Sequence, residues 1–123
     1  MSVGRRQVLA GAALAAALAT PLRAAEGSPR FGLIGRITAK PGKRAELASI
    51  LSAGTEQMPG CLSYVVGEDV ANPDVLWVSE VWESEAAHKA SLKLPQVRAA
   101  IAQGRPMIAG FETIATTRPI AGA

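Results

Sequence analysis

Apolar positions change their spacing several times along the 123-residue chain, and each change predicts an element. The run Phe31 to Thr38 is apolar and partly β-branched, and Lys40-Pro41-Gly42 cuts it off, which predicts a first strand. Beyond Lys43, the residues Leu47, Ile50, Leu51, Gly54 and Met58 recur at helical spacing, while Arg44, Glu46 and Glu56 fall elsewhere on the wheel. An amphipathic helix is expected there, ending before Pro59-Gly60. Cys61 to Val70 reads as a second strand, Ala71-Asn72-Pro73-Asp74 as a turn and Val75 to Glu83 as a third strand, so strands two and three form a hairpin. Ser84 suits the N-cap of a helix opening Glu85-Ala86-Ala87-His88, whose acidic first turn complements the helix dipole. Pro95 to Gln103 predicts another helical piece with Pro where a missing N–H costs nothing. Ile108 to Thr117 predicts the last strand, before a tail over residues 118–123.

The resulting order, β-α-β-β-α-β, is an α+β fold of ferredoxin-like arrangement, with one antiparallel sheet and the helical segments on one of its faces. In the third strand, Leu76, Val78, Glu80 and Trp82 alternate with Trp77, Ser79, Val81 and Glu83, so large apolar groups stand on both faces. The first strand repeats this, with Phe31, Leu33 and Ile37 on one side and Ile34 on the other. Short helices cover one face only. A homodimer joining two sheets across a two-fold axis is the economical cover for the second, and a monomer with a ligand on that face is the alternative.

Ahead of this domain stands a different pattern. Arg5 and Arg6 precede an uncharged stretch from Gln7 to Pro21 rich in Ala and Leu, followed by the small residues Ala24 and Ala25. That is the order of a secretory signal, expected over residues 1–24 with a linker over 25–30 and the domain over 31–117. The stretch is shorter than the ~20 residues that span a bilayer, so no stable membrane anchor is expected once it is cleaved. Gly4-Arg5-Arg6-Gln7-Val8-Leu9 resembles a bacterial twin-arginine signal, although Gly4 replaces the usual Ser or Thr and Val8 the usual Phe. A periplasmic or secreted location is expected, against the alternative of a cytoplasmic protein with an amphipathic or disordered N-terminus. The signal also changes the charge argument. Without Arg5, Arg6 and Arg23, ten Lys and Arg stand against ten Asp and Glu. Nucleic acid is not an expected partner of so balanced a chain. One Cys and one His give no metal site, and Cys61 alone makes no internal disulfide.

Met58-Pro59-Gly60-Cys61-Leu62-Ser63-Tyr64, then Val78-Ser79-Glu80-Val81-Trp82-Glu83-Ser84-Glu85-Ala86-Ala87-His88 and Ser91-Leu92, resembles the antibiotic biosynthesis monooxygenase family, whose small members include proteins assigned as quinol monooxygenases. The resemblance covers nearly all of Phe31 to Thr117. It implies a dimeric α+β barrel with a pocket between sheet and helices, and oxygenation of electron-rich aromatic rings without bound metal or flavin. No cofactor is therefore expected, and a small aromatic molecule is the expected partner.

Such chemistry needs a group that takes a phenolic proton, inside walls that exclude water. His88, the single imidazole, is one candidate; a half-exposed helical His beside Lys89 is its bland alternative. Many family members place a His about one turn later, near Ser91, so the role does not transfer directly. Glu80 is the second catalytic candidate, because burial without a partner would suit a carboxyl to act as base, whereas an ion pair to Arg36 would make it structural. Trp82 is expected as a pocket wall or as core, with Tyr64 and Arg36 adding a hydrogen bond and a positive charge at the substrate. Cys61 reads as a small buried hydrophobe. Three functions stay open: an exported monooxygenase acting on quinols or polyphenols, a non-catalytic barrel binding a small aromatic ligand or serving a stress role, and haem binding or breakdown. The last uses an Asn, a Trp and a His in relatives of the fold, and here the single Asn, Asn72, lies in a turn.

Overall fold

The structure, a computed structural model, describes residues 29–122; the signal expected over residues 1–24 lies outside them. The chain runs β1 (Phe31–Ala39), α1 (Arg44–Gly54), β2 (Cys61–Glu68), β3 (Val75–Trp82), α2 (Glu85–Ser91), α3 (Pro95–Gly104), a 3-10 turn (Arg105–Met107) and β4 (Ile108–Thr117). All pairings are antiparallel, in the order β2-β3-β1-β4. This is the ferredoxin-like α+β arrangement that the apolar spacing predicts.

Two glycines make the turns that Pro41-Gly42 and Pro59-Gly60 announce. Gly42 has φ 78° and Gly60 φ 80°, in the left-handed region that side chains avoid. At Gly60 the space is also taken, since a Cβ there would lie 2.6 Å from the Cβ of Ala87 on α2. The turn into β2 therefore presses directly on α2.

Helix α1 stops at Gly54, four residues before the predicted end. Gln57 adopts φ 54°, and Met58 reaches the core from the loop instead of from the helix. Gly54 itself abuts α3, where a Cβ would lie 2.4 Å from the Cβ of Ala100, so the two helices touch there nearly backbone to side chain. Strand β2 also ends early, at Glu68. Asp69 Oδ1 accepts the N–H groups of Ala71 and Asn72 at 2.8 Å each, and Oδ2 accepts the Trp77 indole N–H at 2.8 Å. The indole bond first, then the backbone bonds, hold the Asp69 carboxyl below its ordinary pKa. Arg44 donates to the carbonyls of Asp69 and Asn72 and so pins this turn to α1. Ser84 caps α2 as expected, its Oγ accepting the Ala87 N–H at 3.1 Å.

The helices cover one sheet face. Toward α1, Ile37 and Ala39 of β1 and Leu76 and Val78 of β3 pack on Leu47. Toward α2 and α3, Met58, Trp82 and Val97 form a second buried group. The opposite sheet face carries Ile34, Arg36, Trp77 and Val81, and Val65 on β2 is 56% exposed. No helix among the described residues is long and apolar enough to cross a membrane.

Candidate functional site

The polar groups of interest meet at the second buried group. Register sets this up. Cys61 and Tyr64 of β2 oppose Trp82 and Glu80 of β3, and Phe31 of β1 opposes Trp82 from the other side. Cys61 and Tyr64 are three residues apart and would face opposite ways in a regular strand. A bulge between Cys61 and Ser63 adds one residue against β3 and turns both toward the helices, where both pack on the group containing Trp82. Helix α2, held by its Ser84 cap and by the Gly60 contact, lays His88 over the same spot.

There the His88 ring lies between two aromatic rings. Its centroid is 5.4 Å from that of Phe31 in a tilted arrangement, and 5.5 Å from that of Trp82 in an edge arrangement. Both separations are in the range of favourable aromatic contacts. Glu80 joins the pair from below. Its Oε1 accepts the Trp82 indole N–H at 2.9 Å and stands 3.9 Å from His88 Nε2. The side chains of Glu80 and His88 are only 17% and 18% exposed.

Tyr64, opposite Glu80, is neutral throughout the working pH range: burial first, then the negative charge of Glu80 and, once it ionises at high pH, that of Cys61, push its phenol far above the ordinary value. It can donate a hydrogen bond and not supply an anion. The Cys61 thiol is also pushed up, by burial ahead of the Glu80 charge, and its Sγ meets the Ser63 carbonyl at 3.6 Å. A thiol held neutral is no nucleophile, in keeping with its reading as a small hydrophobe.

The predicted residues thus divide. His88, Glu80, Trp82 and Tyr64 come together, and His88 is not a surface residue beside Lys89. Arg36 does not join them. It stands at an even position of β1, on the opposite sheet face from Phe31, and its guanidinium donates to Glu112 of β4 while lying 5.6 Å from the centroid of the Trp77 ring. The Arg36–Glu80 ion pair expected from the sequence is replaced by Arg36–Glu112, because Glu80 shares its face with Trp82. Trp82 is 1% exposed, so it is a buried support for Glu80 and His88 and shows no open ring face. Asn72 sits in the β2–β3 turn, at the opposite end of the hairpin from Trp82. The haem constellation is therefore not assembled.

Phe31 is the residue that sequence reasoning missed. The sequence has two Phe, one Tyr and two Trp, of which Phe31, Tyr64 and Trp82 meet here, but only the β1–β3 register reveals the meeting. Phe31 also lines a cleft of about 570 Å³ bounded by Arg30, Ser84, Glu85, Thr117 and Arg118. That volume suits a small ring system. Among the described residues, no group of three or more His, Cys, Asp or Glu is placed to hold a metal ion.

Residues 30–103 match the family model of antibiotic biosynthesis monooxygenases, and the chain belongs to that family. A Chloroflexus aurantiacus structure assigned by name to it is 52% identical with a TM-score of 0.74, over 76% of this chain and 96% of that one. A Caulobacter crescentus structure with the same assignment is 22% identical with a TM-score of 0.68, covering 76% of this chain and 92% of its own. A Pseudomonas aeruginosa structure is also 22% identical, TM-score 0.68, over 76% and 97%. The latter two share the fold. Comparison with curated proteins gives no match.

Proposed function

We propose that this family member is an exported monooxygenase that oxidises a quinol or polyphenol with the chain's own side chains and no bound cofactor. The observation that carries the reading is the placement of the single imidazole between Phe31 and Trp82 beside the Glu80 carboxylate, with the Phe31 ring shared between this group and a cleft. A quinol lying along Phe31 would give its phenolic proton to His88, and Tyr64, held neutral, would donate a hydrogen bond within the same group. The resulting anion has the electron density to reduce O2. One oxygen atom enters the ring and the other leaves as water, so that quinol and O2 give hydroxyquinone and water.

Oxygen uptake with a panel of quinols tests this. The parent protein consumes O2 with at least one of them, and His88→Ala lowers the rate ~10²-fold or more, the usual contribution of a positioned acid or base. Uptake undiminished in His88→Ala removes His88 from the site. If no quinol supports uptake, the protein binds an aromatic ligand without turnover.

Two features of the reading lie away from the site. Arg5 and Arg6 support export, and the apolar residues Ile34, Trp77 and Val81 on the open sheet face support a homodimer. Fusing residues 1–30 to a reporter active only after folded export should direct it out of the cytoplasm until both arginines become Lys. Light scattering of the mature domain should give twice the chain mass. Export of the Lys pair, or a clean monomer, contradicts the respective feature.

A further inference from the structure

We infer that Glu80 is a positioning residue that fixes which nitrogen of His88 takes the proton, and is not itself the base; this rests on the function proposed above. One oxygen, Oε1, serves both neighbours: it accepts the Trp82 indole N–H at 2.9 Å and stands 3.9 Å from His88 Nε2. The indole bond fixes where that oxygen sits, because the Trp82 ring is 1% exposed and cannot swing away. A separation of 3.9 Å is an electrostatic contact and not a hydrogen bond, and such contacts commonly shorten when substrate binds. A carboxylate oxygen opposite Nε2 favours the imidazole tautomer with its hydrogen on Nε2. Nδ1 is then the lone-pair nitrogen that receives a phenolic proton. Tyr64 and Cys61 beside Glu80 are both held protonated, so neither takes the phenolic proton in place of His88.

Geometry separates this role from that of a base. Oε1 of Glu80 is already engaged by the Trp82 indole N–H, with Tyr64 opposite it across the β2–β3 pair, whereas His88 packs directly on Phe31, the ring that also lines the cleft. The rings that flank His88 fix its plane, and Glu80 fixes its polarity. The three side chains act as one unit: indole, carboxylate, imidazole.

His88 is the only histidine, so its ring nitrogens give the only imidazole signals in a 15N-labelled sample. At mildly alkaline pH, the full-length protein should show the Nε2–H tautomer in a larger share than a free histidine side chain does. Glu80→Gln keeps an oxygen that accepts the indole N–H, so the fold and the Trp82 indole proton signal should remain, while the missing negative charge lowers the share of the Nε2–H tautomer. Quinol oxidation should fall by about 10- to 100-fold, as when the partner that orients a functional imidazole is removed. Glu80→Asp should restore part of the preference, and Glu80→Gln/His88→Ala should be no slower than His88→Ala alone. An unchanged tautomer ratio in Glu80→Gln overturns the inference. So does an oxidation rate that survives His88→Ala and collapses in Glu80→Gln, which makes Glu80 the base. The tautomer signal needs no turnover, so a protein inactive with every quinol refutes the proposed function while the ratio still decides the role of Glu80.

Discussion

The two ends of the helix-covered sheet face are built from different materials. At the α1 end, Ile37, Ala39, Leu47, Leu76 and Val78 are buried without a polar group among them. At the α2 end, buried Trp82 and Met58 sit beside a carboxylate, an imidazole, a phenol and a thiol, all at least partly enclosed. The same strands, β1 and β3, supply both ends, so the difference lies in side chains and not in backbone. An aliphatic end contributes packing and the removal of apolar surface from water. Polar groups enclosed at the other end must be satisfied by one another, and the bond from Trp82 to Glu80 does this. Both ends contribute packing, and the titratable groups gather at only one of them.

Paired truncations break this comparison most sharply. Trp82→Ala should cost about 3–5 kcal/mol and Leu76→Ala about 2–5 kcal/mol, by the usual loss of transfer energy plus cavity. Denaturant titration of both variants measures this. The costs overlap, but the activities should not: oxidation per folded molecule should survive Leu76→Ala and vanish in Trp82→Ala, which frees Glu80 and His88 together. Equal activity in the two variants would mean that the polar end is ordinary core.

A smaller effect sharpens the same contrast at high pH. Tyr64 is protonated in the fold well above the value, about 10, at which a free tyrosine ionises. Below that pH both states hold the proton and stability is unaffected. Above it the unfolded chain releases a proton that the folded chain keeps, so the folded state loses about 1.4 kcal/mol per pH unit until its own phenol ionises. Thermal melts from pH 8 to 11 should fall more steeply for the parent than for Tyr64→Phe. Parallel curves would show that the phenol reaches solvent.

Legibility in the sequence follows a similar division. The strands, the Ser84 cap and the two Pro-Gly turns rest on local signals of period, capping and turn composition, and these were readable. Helix α1 was overextended because Met58 falls at helical spacing; its burial comes from the following loop, and no local signal reports that Gly54 already touches Ala100. Within the site, Glu80 and Trp82 were legible as face partners through the alternation in β3, and His88 as the only imidazole. Arg36 was misplaced because which β1 residue faces Glu80 depends on register, as does the meeting of Phe31 with His88. The local code carried the scaffold, and long-range pairing carried the site.

The bulge in β2 gives Leu62 an unusual standing. It is the residue in excess over β3, and at 36% exposed it contributes little to the core. Substitution there is cheap, since what the strand needs at that point is a spacer. Loss of the bulge is another matter. With Leu62 drawn into the ladder, Cys61 and Tyr64 would fall back into strict alternation three residues apart, and the strand could keep only one of them beside Glu80 while sending the other to the open face. Position 62 therefore works as punctuation, meaningless in itself and decisive for how the letters on either side are read.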